Sequence, residues 1–181
     1  MKTANRIRIT GGQFKGRKIA TPGAGTHPMG ERERIALFNM ISEYVPGNFI
    51  MDAFSGSGAL GIEALSRGAR FVLFMDKSPR ACNTINENLR ELGLYGIYGR
   101  ALKGDAYESV ATATDRFGIV LVDPPYDEYD EEKIKILARV VADPVGILVL
   151  SHPTELAPEM PGLKLIKTHK YAAAHISLYS H

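Results

Sequence analysis

Three short apolar runs punctuate the chain without alternation: Phe49–Met51, Phe71–Met75 and Ile119–Val122. Unbroken runs of this length are expected of strands buried on both faces, as in a parallel sheet covered by helices. Helical periodicity fills the intervals. Leu37, Phe38, Ile41 and Val45 recur at three- and four-residue steps and predict a helix over Glu31–Tyr44. Ala59–Arg67 reads as a second helix, stopped by Gly68. Ser78-Pro79 supplies an N-cap and a first helical residue for a third, whose apolar face is Cys82, Ile85, Leu89 and Leu92 and whose stop is Gly93. Tyr95–Leu102 is a weak strand interrupted by glycine. A helix to about Ala142 follows the acidic stretch Asp127–Glu132, and Gly146–Ser151 is a further strand. Leu163–Tyr171 and Ala174–Tyr179 lack a helix between them and should form an antiparallel hairpin at the sheet edge. At the other end, Arg6–Thr10 alternates charged and apolar residues, Gly11-Gly12 breaks it, and Lys18–Ala20 is placed to pair back. Residues 1–30, hairpin plus a Pro- and Gly-rich loop from Thr21 to Gly30, thus read as an extension on a domain spanning 31–181. The whole is an α/β fold.

Two stretches at strand ends carry the candidate chemistry. Asp52-Ala-Phe-Ser-Gly-Ser-Gly-Ala-Leu-Gly61 leads from a strand into a helix. Gly56 and Gly58 can take positive φ and let a ligand approach the backbone, and the helix start offers free N–H groups to a negative charge. Gly56, Gly58 and Gly61 fit the dinucleotide fingerprint, with Asp76 where a ribose-binding acid is expected, so NAD is one reading. Against it, Asp52 and the turn Ala53–Ser55 separate the strand from the first glycine, and a dehydrogenase has no evident use for Asp123-Pro-Pro-Tyr126. In that tetrapeptide the prolines hold the chain extended and remove two N–H donors. Asp123 and the Pro124 carbonyl are acceptors suited to both hydrogens of an exocyclic amine. Tyr126 offers a stacking face, worth roughly 1–3 kcal/mol per base. Amine, planar ring and a methyl donor together point to N-methylation of a nucleobase.

Charge sharpens the picture. The net charge is only +2, yet residues 1–30 carry Lys2, Arg6, Arg8, Lys15, Arg17 and Lys18 and no acid, while Asp105–Glu132 holds nine acids against Arg116 alone. Such polarity suggests a basic face for nucleic-acid phosphates. Arg32 and Arg34 join it: cations are disfavoured at a helix start, which suggests that they serve a phosphate or carboxylate. A single cysteine excludes a disulfide framework. With no apolar run of membrane-span length and no signal-peptide pattern, the expected location is the cytoplasm, away from membranes.

Gly16-Arg-Lys, Ala36-Leu-Phe-Asn39, the block Asp52 to Ala69, Gly104-Asp-Ala106 and Asp123-Pro-Pro-Tyr126 together resemble the RsmD-type 16S rRNA (guanine-N2)-methyltransferases, within the class I S-adenosylmethionine-dependent methyltransferases. The resemblance covers about Arg8 to Tyr179. It implies a Rossmann-like, mostly parallel seven-stranded sheet with an antiparallel C-terminal edge hairpin. It also implies S-adenosylmethionine as donor and S-adenosylhomocysteine as product, with no metal. The donor would be held by Asp52, Ser55, Gly56, Gly58, Ala59, Leu60, Asp76, Lys77, Ser78, Gly104, Asp105 and Ala106, with its methionine carboxylate at the helix start near Gly56–Leu60, its ammonium by Asp52, its ribose by Asp76 and its adenine at Gly104–Ala106. Asp123, Pro124, Pro125 and Tyr126 would be the catalytic set. The partner would be 16S rRNA, within the 30S subunit or its precursor, bound by a monomer. Thr26-His-Pro-Met29, Ile35 and Tyr171-Ala172 depart from the family's pattern and bear on target choice. The same chemistry on another RNA or on adenine N6 of DNA, and a non-catalytic RNA-binding assembly factor, are the alternatives.

Overall fold

The apolar runs pair into a twisted sheet whose strand order reverses beside the first of them. The computed structural model describes residues 6–23, 29–171 and 174–181. Strands β1 (Arg6–Arg8) and β2 (Lys18–Ala20) form a small antiparallel hairpin. The main sheet comprises β3 (Phe49–Asp52), β4 (Phe71–Asp76), β5 (Gly99–Lys103), β6 (Ile119–Val122), β7 (Ile147–His152), β8 (Lys164–Tyr171) and β9 (Ala174–Ser180). Its order is β5-β4-β3-β6-β7-β9-β8. The first five strands are parallel; β9 runs antiparallel to β7, and β8 to β9. The chain steps outward from β3 to β5 and then returns to β3's other side as β6. The crevice at the carboxyl ends of β3 and β6 is therefore the topological switch point, where open α/β sheets bind ligands.

Helices α1 (Glu31–Met40), α2 (Ala59–Ser66), α3 (Pro79–Glu91), α4 (Ala106–Ala111) and α5 (Glu131–Ile134) cover the sheet. One core holds Phe38, Ile62, Phe74, Ile85 and Leu89; the other holds Val120, Leu137, Leu148 and Tyr179. Ser78 caps α3 through Ala81 N–H, with Pro79 at the first position, and Cys82 is buried on the predicted face. No helix among the described residues is long and apolar enough to cross a membrane.

The hairpin is stitched onto this body. Ile9 and Ile19 lie in the core with Phe38 and Leu65. Thr10 donates from its N–H (2.8 Å) and its hydroxyl (2.6 Å) to the buried Glu63 carboxylate, which also accepts from Arg67 Nε at 2.9 Å. The Asn88 side chain accepts from Ala20 N–H at 2.9 Å and donates to Ala20 O at 3.0 Å.

Three elements are shorter than their sequence pattern predicts. Helix α1 stops at Met40: past its C-cap Ile41 the chain tightens into a turn, with Tyr44 N–H donating to Ile41 O at 3.0 Å, and Gly47 at φ 74° then redirects it, although Ile41 and Val45 stay buried. Only Gly99–Lys103 of the weak strand joins the sheet; Gly96, at φ 77°, turns the preceding residues outward and leaves Ile97 71% exposed. After α5 the chain tightens into a 3-10 segment, Lys135–Val140, whose end accepts from Phe117 N–H at 2.8 Å and so leaves helical geometry.

Candidate active site

β3 delivers Asp52 to the floor of the crevice and hands the chain to the glycine turn. Ser55 Oγ donates to Asp52 O (2.8 Å), and Gly58 N–H to Ser55 O (2.6 Å). Gly58 sits at φ 78° as N-cap of α2, and a Cβ there would fall 2.9 Å from Ile85 Cγ1; both geometry and space require glycine. Asp52 is 1% exposed, and its Oδ2 accepts from Gly61 N–H at 3.0 Å. Burial pushes its pKa up to about 7; the Gly61 bond opposes this, and the nearby Asp123 and Asp76 carboxylates add to it.

Asp76, at the end of β4, braces the same turn. Its Oδ2 accepts from Gly56 N–H (2.7 Å) and its Oδ1 from Ser78 N–H (2.8 Å), leaving a lone-pair direction free on each oxygen. Lys77 reaches across to Asp105 Oδ2 (3.2 Å) and Glu128 Oε2 (3.4 Å), tying the ends of β4, β5 and β6 together. Asp105 also caps α4, accepting from Tyr107 N–H at 2.8 Å. Burial works to raise its pKa, but Lys77 and the cap bonds outweigh it and hold the carboxyl below its ordinary value. The Asp105 side chain thus faces a smaller depression shared with Lys77 and Tyr107, while Gly104 and Ala106 border the main crevice.

β6 ends at Asp123, opposite the glycine turn. Asp123 is partly buried, which raises its pKa, and the Ser151 hydroxyl opposes the rise by hydrogen bonding. Ser151 Oγ also lies 3.2 Å from Tyr126 OH. Tyr126 is 43% exposed and lines the crevice. The crevice has a volume of about 1060 Å³; Asp52, Asp76, Asp123 and Tyr126 line it, together with Met29 and Glu33 from the N-terminal side and Tyr171 and Ile176 from the C-terminal hairpin.

A protein-family profile described as conserved hypothetical protein 95 matches residues 7–180. The chain belongs to this family, the RsmD-type methyltransferases. Ribosomal RNA small subunit methyltransferase D of Escherichia coli K12 is 33% identical over 162 residues, covering 87% of this chain and 81% of its own. YlbH of Bacillus subtilis 168 is 33% identical over 184 residues, 96% of this chain and 98% of its own. The solved structure of yhhF from Escherichia coli superposes with a TM-score of 0.87 at 30% identity, covering 97% of this chain and 98% of that one.

In this family member the basic residues divide. Arg6, Arg8, Lys15, Arg17, Lys18 and Arg32 are exposed. Arg8 pairs with Glu31 at 3.0 Å, and Arg17 donates to Glu91 O at 3.2 Å. Arg34 does not belong with them. It is 3% exposed, and its guanidinium donates to Met29 O and Arg8 O, both at 2.8 Å. Its charge pattern reads as surface, but it is an interior clamp between the hairpin and α1, with its pKa lowered by burial. Lys2, Thr26, His27 and Ala172 lie outside the described residues. Ser151 carries no sequence signal of its own, because it follows an apolar strand like any other polar residue; only the β6–β7 pairing brings it to Asp123 and Tyr126.

Proposed function

We propose that this chain transfers a methyl group from S-adenosylmethionine to the exocyclic N2 amine of a guanine in 16S rRNA of the small ribosomal subunit, leaving S-adenosylhomocysteine. One observation carries the reading: a single crevice joins the glycine turn and its two carboxylates to Asp123-Pro-Pro-Tyr126. The name of the Escherichia coli relative, a small-subunit rRNA methyltransferase, supports the substrate.

The floor suits the donor. Asp76 retains acceptor capacity for a ribose diol, and with the Gly56 and Gly58 N–H groups held by Asp76 and Ser55, those of Ser57, Ala59 and Leu60 at the opening of α2 are the ones on offer to a carboxylate. Asp52 is costly to ionise alone, and an ammonium beside it offsets that cost. Gly104 and Ala106 would flank the adenine, with Lys77 and Ser78 holding the rim. When bound, the donor supplies an electrophilic sulfonium methyl.

The wall suits the acceptor. Guanine N2 is a weak nucleophile because its lone pair is delocalised into the ring. Asp123 and the Pro124 carbonyl accept its two hydrogens, hold the nitrogen toward the donor and stabilise the positive charge that develops on it. This is electrostatic preorganisation with the sign reversed from an oxyanion hole. Fixed geometry supplies the rest of the rate. Asp123 need not be a strong base, since the amine proton becomes acidic once nitrogen is alkylated. Tyr126 stacks on the base while Ser151 holds its hydroxyl. The exposed arginines and lysines of β1, β2 and the segment between them would steer RNA phosphates. In this reading a monomer acts on 16S rRNA within the 30S particle or its precursor.

The test is transfer of labelled methyl to unmethylated 30S subunits, free 16S rRNA and DNA, with the product nucleoside identified by mass spectrometry. N2-methylguanosine from 30S or 16S rRNA is the expected result. Label appearing as N6-methyladenosine, or in DNA, overturns the substrate; no label with donor bound overturns the activity.

A further inference from the structure

The edge strand β8 carries a second basic row, and backbone geometry rather than sequence spacing creates it. Lys164 and Lys167 are three residues apart, an odd spacing that in a regular strand sends side chains to opposite faces. The ladder between β8 and β9 shifts register between Leu165 and Lys167. Lys164 lies opposite Ser180 and Lys167 opposite Leu178, two residues apart on β9. Directly opposed residues share a face. The bulge at Ile166 therefore turns both lysines to one side, as bulges do when they re-aim a side chain. His169, opposite Ile176, and Tyr171, opposite Ala174, continue the row on that face.

The row ends at the active crevice, where Tyr171, Ala174 and Ile176 form part of the lining. The rings of His169 and Tyr171 are 5.9 Å apart. Lys164 and Lys167 are exposed, and among the described residues neither has an ion-pair partner. Lys170 on the opposite face, by contrast, pairs with Glu155 at 3.9 Å. Counting the bulge, the row spans about 20 Å at roughly 3.3 Å per residue. Protection of an edge strand from aggregation asks only for charge. It does not ask for a bulge that gathers two unpaired lysines onto the face that ends in an aromatic ring at the crevice.

We infer that Lys164, Lys167, His169 and Tyr171 form a track for the single-stranded RNA flanking the target base, with phosphates over the lysines and a neighbouring base on Tyr171. Unpaired cations followed by rings are the arrangement that single-stranded nucleic acid requires. The inference rests on the reading of RNA as the substrate.

The experiment measures binding of unmethylated 16S rRNA and of unmethylated 30S subunits across a salt series, with S-adenosylmethionine affinity followed by calorimetry. In the double variant Lys164→Gln/Lys167→Gln, the log–log salt slope on free 16S rRNA falls by about 1.4, two contacts at roughly 0.7 each, and affinity drops about tenfold. Donor affinity stays at the wild-type value. Tyr171→Ala weakens RNA binding by roughly 5- to 150-fold, the equivalent of one lost stack, without changing the slope, and Tyr171→Phe restores it. An unchanged slope and affinity in the double variant overturn the track while leaving the methyltransferase reading intact. Loss of 30S binding with free rRNA binding unchanged also overturns it, in favour of a ribosomal-protein contact. Wild-type protein that binds no RNA removes the substrate reading and the track together.

Discussion

Asp52→Asn should stabilise the donor-free protein, and the gain should appear only as pH rises. An aspartate in the unfolded chain titrates near 3.9, whereas burial moves Asp52 up to about 7. Between these values the folded chain holds a proton that the unfolded chain has released. Stability therefore falls as pH climbs from about 4 to about 7 and levels off above it. A gap of about 3 units corresponds to about 4 kcal/mol. That is a large fraction of the 5–15 kcal/mol typical of a domain. Asparagine keeps an acceptor for Gly61 N–H, so the variant removes the ionisation and little else. Urea denaturation of both proteins between pH 4 and pH 8 measures this directly. The stability difference should be near zero at pH 4 and approach about 4 kcal/mol at pH 8. Donor affinity should move the other way: wild type gains affinity as Asp52 ionises through pH 7, and the variant loses both the affinity and its pH dependence. A stability difference that is flat with pH would refute the reasoning, because it would mean that Asp52 ionises like a solvated carboxyl.

Asp123→Ala should abolish methyl transfer and leave S-adenosylmethionine binding close to wild type; normal turnover in the labelled-methyl assay would remove Asp123 from the chemistry. Ser151→Ala should lower kcat roughly 5- to 10-fold, the equivalent of one hydrogen bond of about 1 kcal/mol. Because the Ser151 hydroxyl holds the Asp123 pKa down, the acidic limb of the pH–rate profile should also move to higher pH, and a fixed limb would show that the two do not interact during turnover. Asn88→Ala strands both the N–H and the carbonyl of Ala20 and should cost about 2–4 kcal/mol, read as a lower urea midpoint. A midpoint unchanged from wild type would mean that the hairpin is held by its apolar contacts alone.

What could be read from the sequence was local. Unbroken apolar runs marked β3, β4 and β6 because burial on both faces removes alternation. Ser78-Pro79 and Gly93 marked the ends of α3 because caps and stops depend on one or two residues' own geometry. The glycine turn and the tetrapeptide stood out because positive φ and rigid proline each demand a particular residue, and the structure brings both to one crevice. Where the local pattern misled, a distant partner was responsible. Arg34 sits in a charged run, yet the carbonyls of Met29 and Arg8 draw it into the interior. Asp105 turns toward Lys77, 28 positions earlier, because β4 and β5 pair side by side. Ser151 meets Tyr126 only through the pairing of β6 with β7. The lysines of β8 share a face only because of a register shift against β9. Strand, cap and turn preferences act over a few residues and are written in the chain. Which polar groups meet is decided by the closure of long loops around a common core, and that exists only once the sheet has formed.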